Sequence, residues 1–247
     1  MELNNSFNKG EKLKINWQNS TSKITDLALS YFTPYIYNSK ISPTIHFSIA
    51  KQDSTYTNTK LSAHINYKLN LKNGIGVIYE KDNSKILQNN TGDDFKEYKK
   101  QLVGASYILK STTATNYSIE FQTLTGRRKA NNKSTPQNKF SLFSNLTIPV
   151  SEKSAFEIKT SGEILHSKSY IQNELFRIGG SNSLRGFDEY SVWTDADALT
   201  NLEYHFTLDN NNTLYTITDY AYVNNSILKQ TFNLYGFGIG YRLKSEN

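Results

Sequence analysis

YGFGIGYRL, residues 235–243, alternates without a break. Tyr235, Phe237, Ile239, Tyr241 and Leu243 share one parity, and Gly236, Gly238, Gly240 and Arg242 share the other. Successive side chains of a β-strand point to opposite faces, so this stretch predicts a strand with one large apolar face and one nearly bare face. A helix would scatter both sets around its circumference. The glycines are not a dinucleotide-binding fingerprint, because they alternate along a strand and no helix follows. Small residues on a crowded inner face, or beside a seam, account for them.

The same period of two recurs through the chain. Leu61, Ala63, Ile65, Tyr67 and Leu69 oppose Ser62, His64, Asn66 and Lys68. Leu13, Ile15 and Trp17 oppose Lys12, Lys14 and Asn16, and Phe156, Ile158 and Ile164 oppose Glu157, Lys159, Ser161 and Glu163. No helical stripe of comparable strength appears. About twelve segments emerge, at 11–18, 25–36, 44–52, 59–70, 74–80, 98–110, 116–127, 139–150, 154–166, 199–208, 213–223 and 233–243. Turns rich in Asn, Ser, Lys and Asp separate them. No linker or shift in composition interrupts them, so residues 1–247 predict one continuous β domain.

Segment length separates two kinds of β protein. Strands of soluble domains run to about 5–6 residues, whereas strands that cross a bilayer need about 9–11. Most of these segments are of the longer kind. Tyr31, Tyr35, Tyr37, Tyr67, Tyr79, Tyr107 and Tyr241 gather near segment ends, as in the aromatic girdles of membrane barrels. A mean hydropathy of −0.59 fits a barrel whose inner face and outer loops are polar. The soluble alternative is a β-sandwich with long strands, an adhesin or lectin-like binding module.

Other chemistry is thinly represented. The chain has no cysteine, hence no disulfide framework and no thiolate metal site. His46, His64, His166 and His205 lack metal-ligand spacing, and His64 and His205 read as inward polar residues. The charge of +6 is scattered, which argues against nucleic acid as a partner. Lys99–Lys100 and Arg127–Arg128–Lys129 read as solvated charge at strand ends, and Asp93–Asp94 and Asp195–Asp197 as solvated loop acids. No catalytic constellation, metal site or cofactor is expected, so the chain is not read as an enzyme. The opening MELNNSFNKGEK lacks the apolar core of a signal peptide.

One loop asks for a different explanation. FRIGGSNSLRGFDEY, residues 176–190, places a lone arginine between a leucine and a glycine, after a pair of glycines. Phe176, Gly179, Gly180, Leu184, Arg185, Gly186 and Phe187 resemble the loop motif of the BamA/TamA family of outer-membrane assembly barrels, also called bacterial surface antigen proteins. FNKGEKLKINW, LALSYFTPYIY, NLEYHF and TDYAYV resemble further segments of that family in the same order. The fold so implied is all-β: an antiparallel transmembrane β-barrel, with about twelve of the family's sixteen strands present and the seam strands missing. A further hairpin is expected after Asn247; members of the family begin with POTRA modules, and residues 1–247 hold no segment that resembles one.

The resemblance also assigns roles. The loop, at about 167–198, dives into the barrel lumen, and its arginine meets carboxylates projecting from the next two strands. The candidates are Glu203 and Asp219. Glu203 has independent support, since Glu203, His205 and Thr207 oppose Leu202, Tyr204 and Phe206. Asp219 shares parity with Tyr215 and Ile217, so its inward direction is less clear. Implied partners are outer-membrane lipid and lipopolysaccharide, unfolded outer-membrane protein clients, and periplasmic or lipoprotein accessory subunits. The function so implied is insertion or translocation of polypeptides at the bacterial outer membrane. A partner-specific secretion pore of the two-partner type is the alternative within that membrane.

Overall fold

A computed structural model of the chain describes all residues except 6, 7, 9, 21, 22, 37, 38, 89–94, 113, 114, 210 and 245–247. Tyr37 and the pair Asp93–Asp94 therefore lie outside the described residues. The twelve long strands are β2 (Lys12–Asn19), β3 (Ile24–Phe32), β4 (Ile41–Gln52), β5 (Tyr56–Lys68), β6 (Asn73–Ile86), β7 (Tyr98–Thr112), β8 (Asn116–Ala130), β9 (Lys133–Ser151), β10 (Ser154–Ser167), β13 (Ala196–Thr207), β14 (Asn212–Asn225) and β15 (Gln230–Leu243). Short β1 (Glu2–Asn4) precedes them, and β11 (Phe176–Ile178) and β12 (Val192–Thr194) form a separate two-stranded hairpin.

Thirteen strands form one sheet in the order β1–β10, β13, β14, β15. Pairing is antiparallel from β1 through β6 and again from β10 through β13 and β14 to β15. The sheet is not closed: β1 and β15 stand at the two ends of the order. A sandwich of two stacked sheets has no counterpart among the described residues.

Two segments run six residues further than alternation predicts. β6 continues past Glu80 to Ile86, and β9 begins at Lys133 rather than 139. Both extensions, residues 81–86 and 133–138, are almost entirely polar on both faces, so they lack the apolar parity that marks a strand.

The chain divides into two compact units. The first comprises Met1–Tyr107, Gln122–Phe140 and Leu165–Leu175; the second comprises Ile108–Phe121, Ser141–Ile164 and Phe176–Asn247. In the first unit the usual polarity of a protein is inverted. Along β6, Ile75, Val77 and Tyr79 are exposed while Glu80, Asp82 and Ser84 are buried. Along β5, Leu61, Ile65 and Tyr67 are exposed and Ser62 is buried; Ala63, His64 and Asn66 are half-buried. Such a sheet keeps its apolar face toward an apolar surrounding. On its covered face Ile78, Leu102 and Leu124 form a small apolar cluster.

In the second unit β15 shows the same inversion. Tyr235, Phe237, Ile239, Tyr241 and Leu243 are 57–82% exposed. The opposite parity is covered at its middle, where a loop buries Gly236 and half-buries Leu234. Ile178, Leu184, Leu199, Ala221 and Val223 form a buried cluster, with Phe187, Val192 and Leu234 packed against it.

Candidate functional site

The loop that follows β11 is a hairpin with a strained tip. Phe176, Arg177 and Ile178 pair with Thr194, Trp193 and Val192. The Arg177 guanidinium lies 4.0 Å over the Trp193 ring, and its Nε donates to the Tyr190 carbonyl at 2.6 Å. Gly179, Gly180 and Gly186 all take positive φ, at 116°, 97° and 89°. Side-chain-bearing residues resist that region, so these glycines let the chain reverse within a few residues. Glu189 closes the turn by accepting from the Ser181 amide at 2.9 Å and hydroxyl at 3.0 Å.

The tip is pressed onto the covered face of β13, β14 and β15. Leu184 is fully buried, and Asn201 Nδ2 donates to the Ser183 carbonyl at 2.8 Å. Arg185 then meets two strand carboxylates. Its backbone N–H and Nε donate to Asp219 Oδ2 at 2.9 and 2.8 Å, and its Nη2 donates to Asp219 Oδ1 at 2.6 Å. Its Nη1 bonds Glu203 Oε1. A planar guanidinium matches a carboxylate in this forked way, which an ammonium cannot reproduce. The Arg185 side chain is 19% exposed, Glu203 9% and Asp219 0%. The hydrogen bond to Asp219, ahead of the charges of both carboxylates, holds the guanidinium pKa above its ordinary value.

The weak alternation of β14 now has a cause. Tyr215, Ile217, Asp219, Ala221 and Val223 all turn to the covered side. That side is not a polar wall but the bed of the loop, so apolar neighbours of Asp219 are what it needs. Gly236 on β15 belongs to the same bed: a Cβ there would run into the Arg185 carbonyl oxygen. Gly240 likewise leaves room for the Tyr215 ring.

Beside Arg185, His205 Nε2 lies 2.7 Å from Glu203 Oε2 and 3.6 Å from Glu157 Oε2, and its ring stacks on Tyr215 at 5.0 Å. Among the described residues these three are the group that could hold a metal ion, each offering one ligand atom within 4.8 Å of the others. Alternation along the strand gave no sign of this grouping, since Glu157 arrives from β10 through its register with Glu203.

A second cluster, in the first unit, was not singled out from the sequence. The segment after β10 makes a 3-10 turn at Gln172–Glu174. The Glu174 side chain, 0% exposed, pairs with Arg128 Nη1, 4% exposed, and accepts from Gln137 Nε2 at 2.9 Å and the Ile171 amide at 3.0 Å. Asn173 accepts from Asn58 and Tyr98 and donates to Ser84 at 2.6 Å and the Lys96 carbonyl at 2.9 Å. Lys100 pairs with Asp82 at 3.1 Å, and Glu80 with Lys60 at 3.2 Å and Lys139 at 3.4 Å.

Three charge readings are corrected by this. Lys100 and Arg128 are not solvated strand-end charge; they are 5% and 4% exposed and ion-paired. Strand parity splits each cluster, sending Lys100 and Arg128 inward and Lys99, Arg127 and Lys129 outward. Asp195, at the bend between β12 and β13, and Asp197, on β13, are not solvated either, being 3% and 8% exposed. Asp195 accepts from the Ser226 amide at 2.5 Å, the Ser226 hydroxyl at 2.9 Å and Asn224 at 3.1 Å, while Asp197 faces Glu163 across β10 and β13.

No family model and no curated protein matches the sequence. Solved structures do match its fold. CdiB from Acinetobacter baumannii superposes with a TM-score of 0.63 at 15% identity, covering 99% of this chain and 49% of that one. CdiB from Escherichia coli gives 0.64 at 13% identity, covering 97% and 51%. BamA from Haemophilus ducreyi, in a form lacking POTRA domains 1–3, gives 0.62 at 16% identity, covering 93% and 55%. This chain spans about half the length of each. Its fold is a BamA/CdiB-type β-barrel fold, present in part.

Proposed function

We propose that this chain, carrying the barrel fold of BamA and CdiB, is the membrane part of an outer-membrane machine that inserts or translocates polypeptides, without covalent chemistry of its own. The observation that carries the reading is Arg185, held by Asp219 and Glu203 on the covered face of β13 and β14. A charged fork sunk among strands is costly unless its partners are already in place. Here they are placed, so the loop serves as a fixed brace for the inner wall. The apolar outer face of β5, β6 and β15 supports lipid as the surrounding medium. An exposed strand edge within a bilayer has unpaired N–H and C=O groups that lipid cannot satisfy, and a folding client strand can. Unfolded outer-membrane proteins are therefore the proposed clients, with periplasmic or lipoprotein subunits delivering them.

A secretion pore for one partner protein is the second reading, since the shared barrel fold serves either task. The test is reconstitution of the full-length protein in liposomes with a urea-unfolded outer-membrane barrel as client. Assembly activity predicts faster acquisition of protease resistance by the client, and Arg185→Ala should remove most of that acceleration. A full-length protein that conducts ions but gives no acceleration would overturn assembly in favour of the pore.

A further inference from the structure

The outward face of the first unit changes character along its strands. In β5 and β6, Ile65 stands opposite Val77 and Tyr67 opposite Ile75, all exposed and apolar. Toward the other end, Leu61 meets Lys81 and Thr57 meets Lys85. β7 repeats the change in reverse, from Lys99 to exposed Val103 and Tyr107. β8 ends on outward Arg127 and Lys129. Lys81, Lys85, Lys99, Lys129, Thr57 and Thr59 border one open hollow of about 1000 Å³. All four lysines are exposed, and among the described residues none has a carboxylate within salt-bridge distance. Glu97 also borders the hollow, and its Oε1 accepts from the Ile86 amide at 3.3 Å.

We infer that this hollow holds the phosphates of a phosphorylated glycolipid of the lipopolysaccharide class, with its acyl chains against the apolar band. The inference rests on the membrane reading above. Among the described residues, four ammonium groups with one carboxylate beside them select a polyanion. The adjoining apolar band, on the same face, requires that this polyanion carry hydrocarbon, which excludes nucleic acid and soluble phosphate. Leaflet follows from connection length. The two longest links, 87–97 and 168–195, leave from the strand ends that bear these lysines, beside the short turns 53–55 and 131–132, while the links at the other ends include 33–40, 69–72 and 152–153. In outer-membrane barrels the long loops are extracellular, and that leaflet is the one built of phosphorylated glycolipid. The parity that buries Lys100 and Arg128 in ion pairs is what leaves Lys99 and Lys129 free for this task.

The test uses the full-length protein in zwitterionic detergent, titrated with bisphosphorylated lipid A, with dephosphorylated lipid A and with phosphatidylglycerol. Replacing Lys81, Lys85, Lys99 and Lys129 together by Gln should weaken lipid A binding by at least about tenfold, and dephosphorylation should do the same for the unaltered protein. If that variant fails to fold, judged by its heat-dependent gel shift, Lys85→Gln with Lys129→Gln should still weaken binding by several-fold. Unchanged binding by the altered protein overturns the proposal, as does equal affinity for phosphatidylglycerol. A protein that stays monodisperse without detergent overturns instead the membrane reading on which it rests.

Discussion

The connection between β10 and β13 is fastened by two arginine–carboxylate clusters of opposite sense. At Arg185 the loop supplies the cation and the strands supply Asp219 and Glu203. At Glu174 the connecting segment supplies the anion and β8 supplies Arg128. Burial differs too. The Arg185 side chain keeps 19% of its surface in contact with solvent, whereas Arg128 keeps 4% and Glu174 none. Apolar support differs too: Leu184 and Phe187 seat the Arg185 cluster on a hydrophobic bed, while the drier Arg128–Glu174 pair sits among Gln137, Ser169 and Tyr98. The lesson is that one cluster is built to hold a loop in register and the other to neutralise a polar interior.

The sharpest way to break this contrast is to remove one partner of the drier pair. Glu174→Ala strands Arg128 without its carboxylate and should cost about 3–5 kcal/mol, read as the unfolding midpoint of the micelle-bound protein in urea. Arg128→Met with Glu174→Leu should restore most of that loss, because two apolar groups leave no orphaned charge. Arg185→Ala should cost less, about 2–3 kcal/mol, since the guanidinium it removes is 19% exposed and water can enter the space it leaves. Its clearer readout is protease cleavage within 176–190 while strand content by circular dichroism stays level. Arg185→Lys should recover only part of the protection. If Glu174→Ala proves no more costly than Arg185→Ala, burial does not distinguish the two clusters.

Smaller changes sharpen the comparison. Gly236→Ala places a methyl against the Arg185 carbonyl and should cost about 1–3 kcal/mol through overpacking, with the loop displaced and β14–β15 pairing retained. Hydrogen exchange at the β15 amides separates these: protection lost along β15 would mean the glycine serves the strand rather than the loop. His205→Ala removes one hydrogen bond to Glu203 and should cost about 1 kcal/mol, the least of the series, by the same urea midpoint.

Alternation made much of this molecule readable before any coordinates. It works where one face of a strand is apolar, so β5 and β15 were plain, and Glu203 could be pointed inward from Leu202, Tyr204 and Phe206 alone. It fails where both faces are polar. Residues 81–86 and 133–138 are strand, yet they read as loop because their inward Asp82, Ser84, Thr135 and Gln137 are as polar as their outward neighbours. For the same reason Lys100 looked like Lys99, and Arg128 like Arg127. Asp219 was obscured in the opposite way, by a loop that makes its strand's inner face apolar. Asn173 and Glu174 had no local signal, since their partners Ser84, Lys96, Arg128 and Gln137 come from distant strands.

Asp219 grips both the backbone amide and the guanidinium of one residue. A shift of the loop by a single residue would break all three hydrogen bonds at once, so there is no intermediate in which the chain is half released. Departure is then an all-or-none event with a single rate, belonging to local unfolding rather than to side-chain fluctuation. The exchange of one amide hydrogen, that of Arg185, therefore reports the opening of the whole loop from its seat.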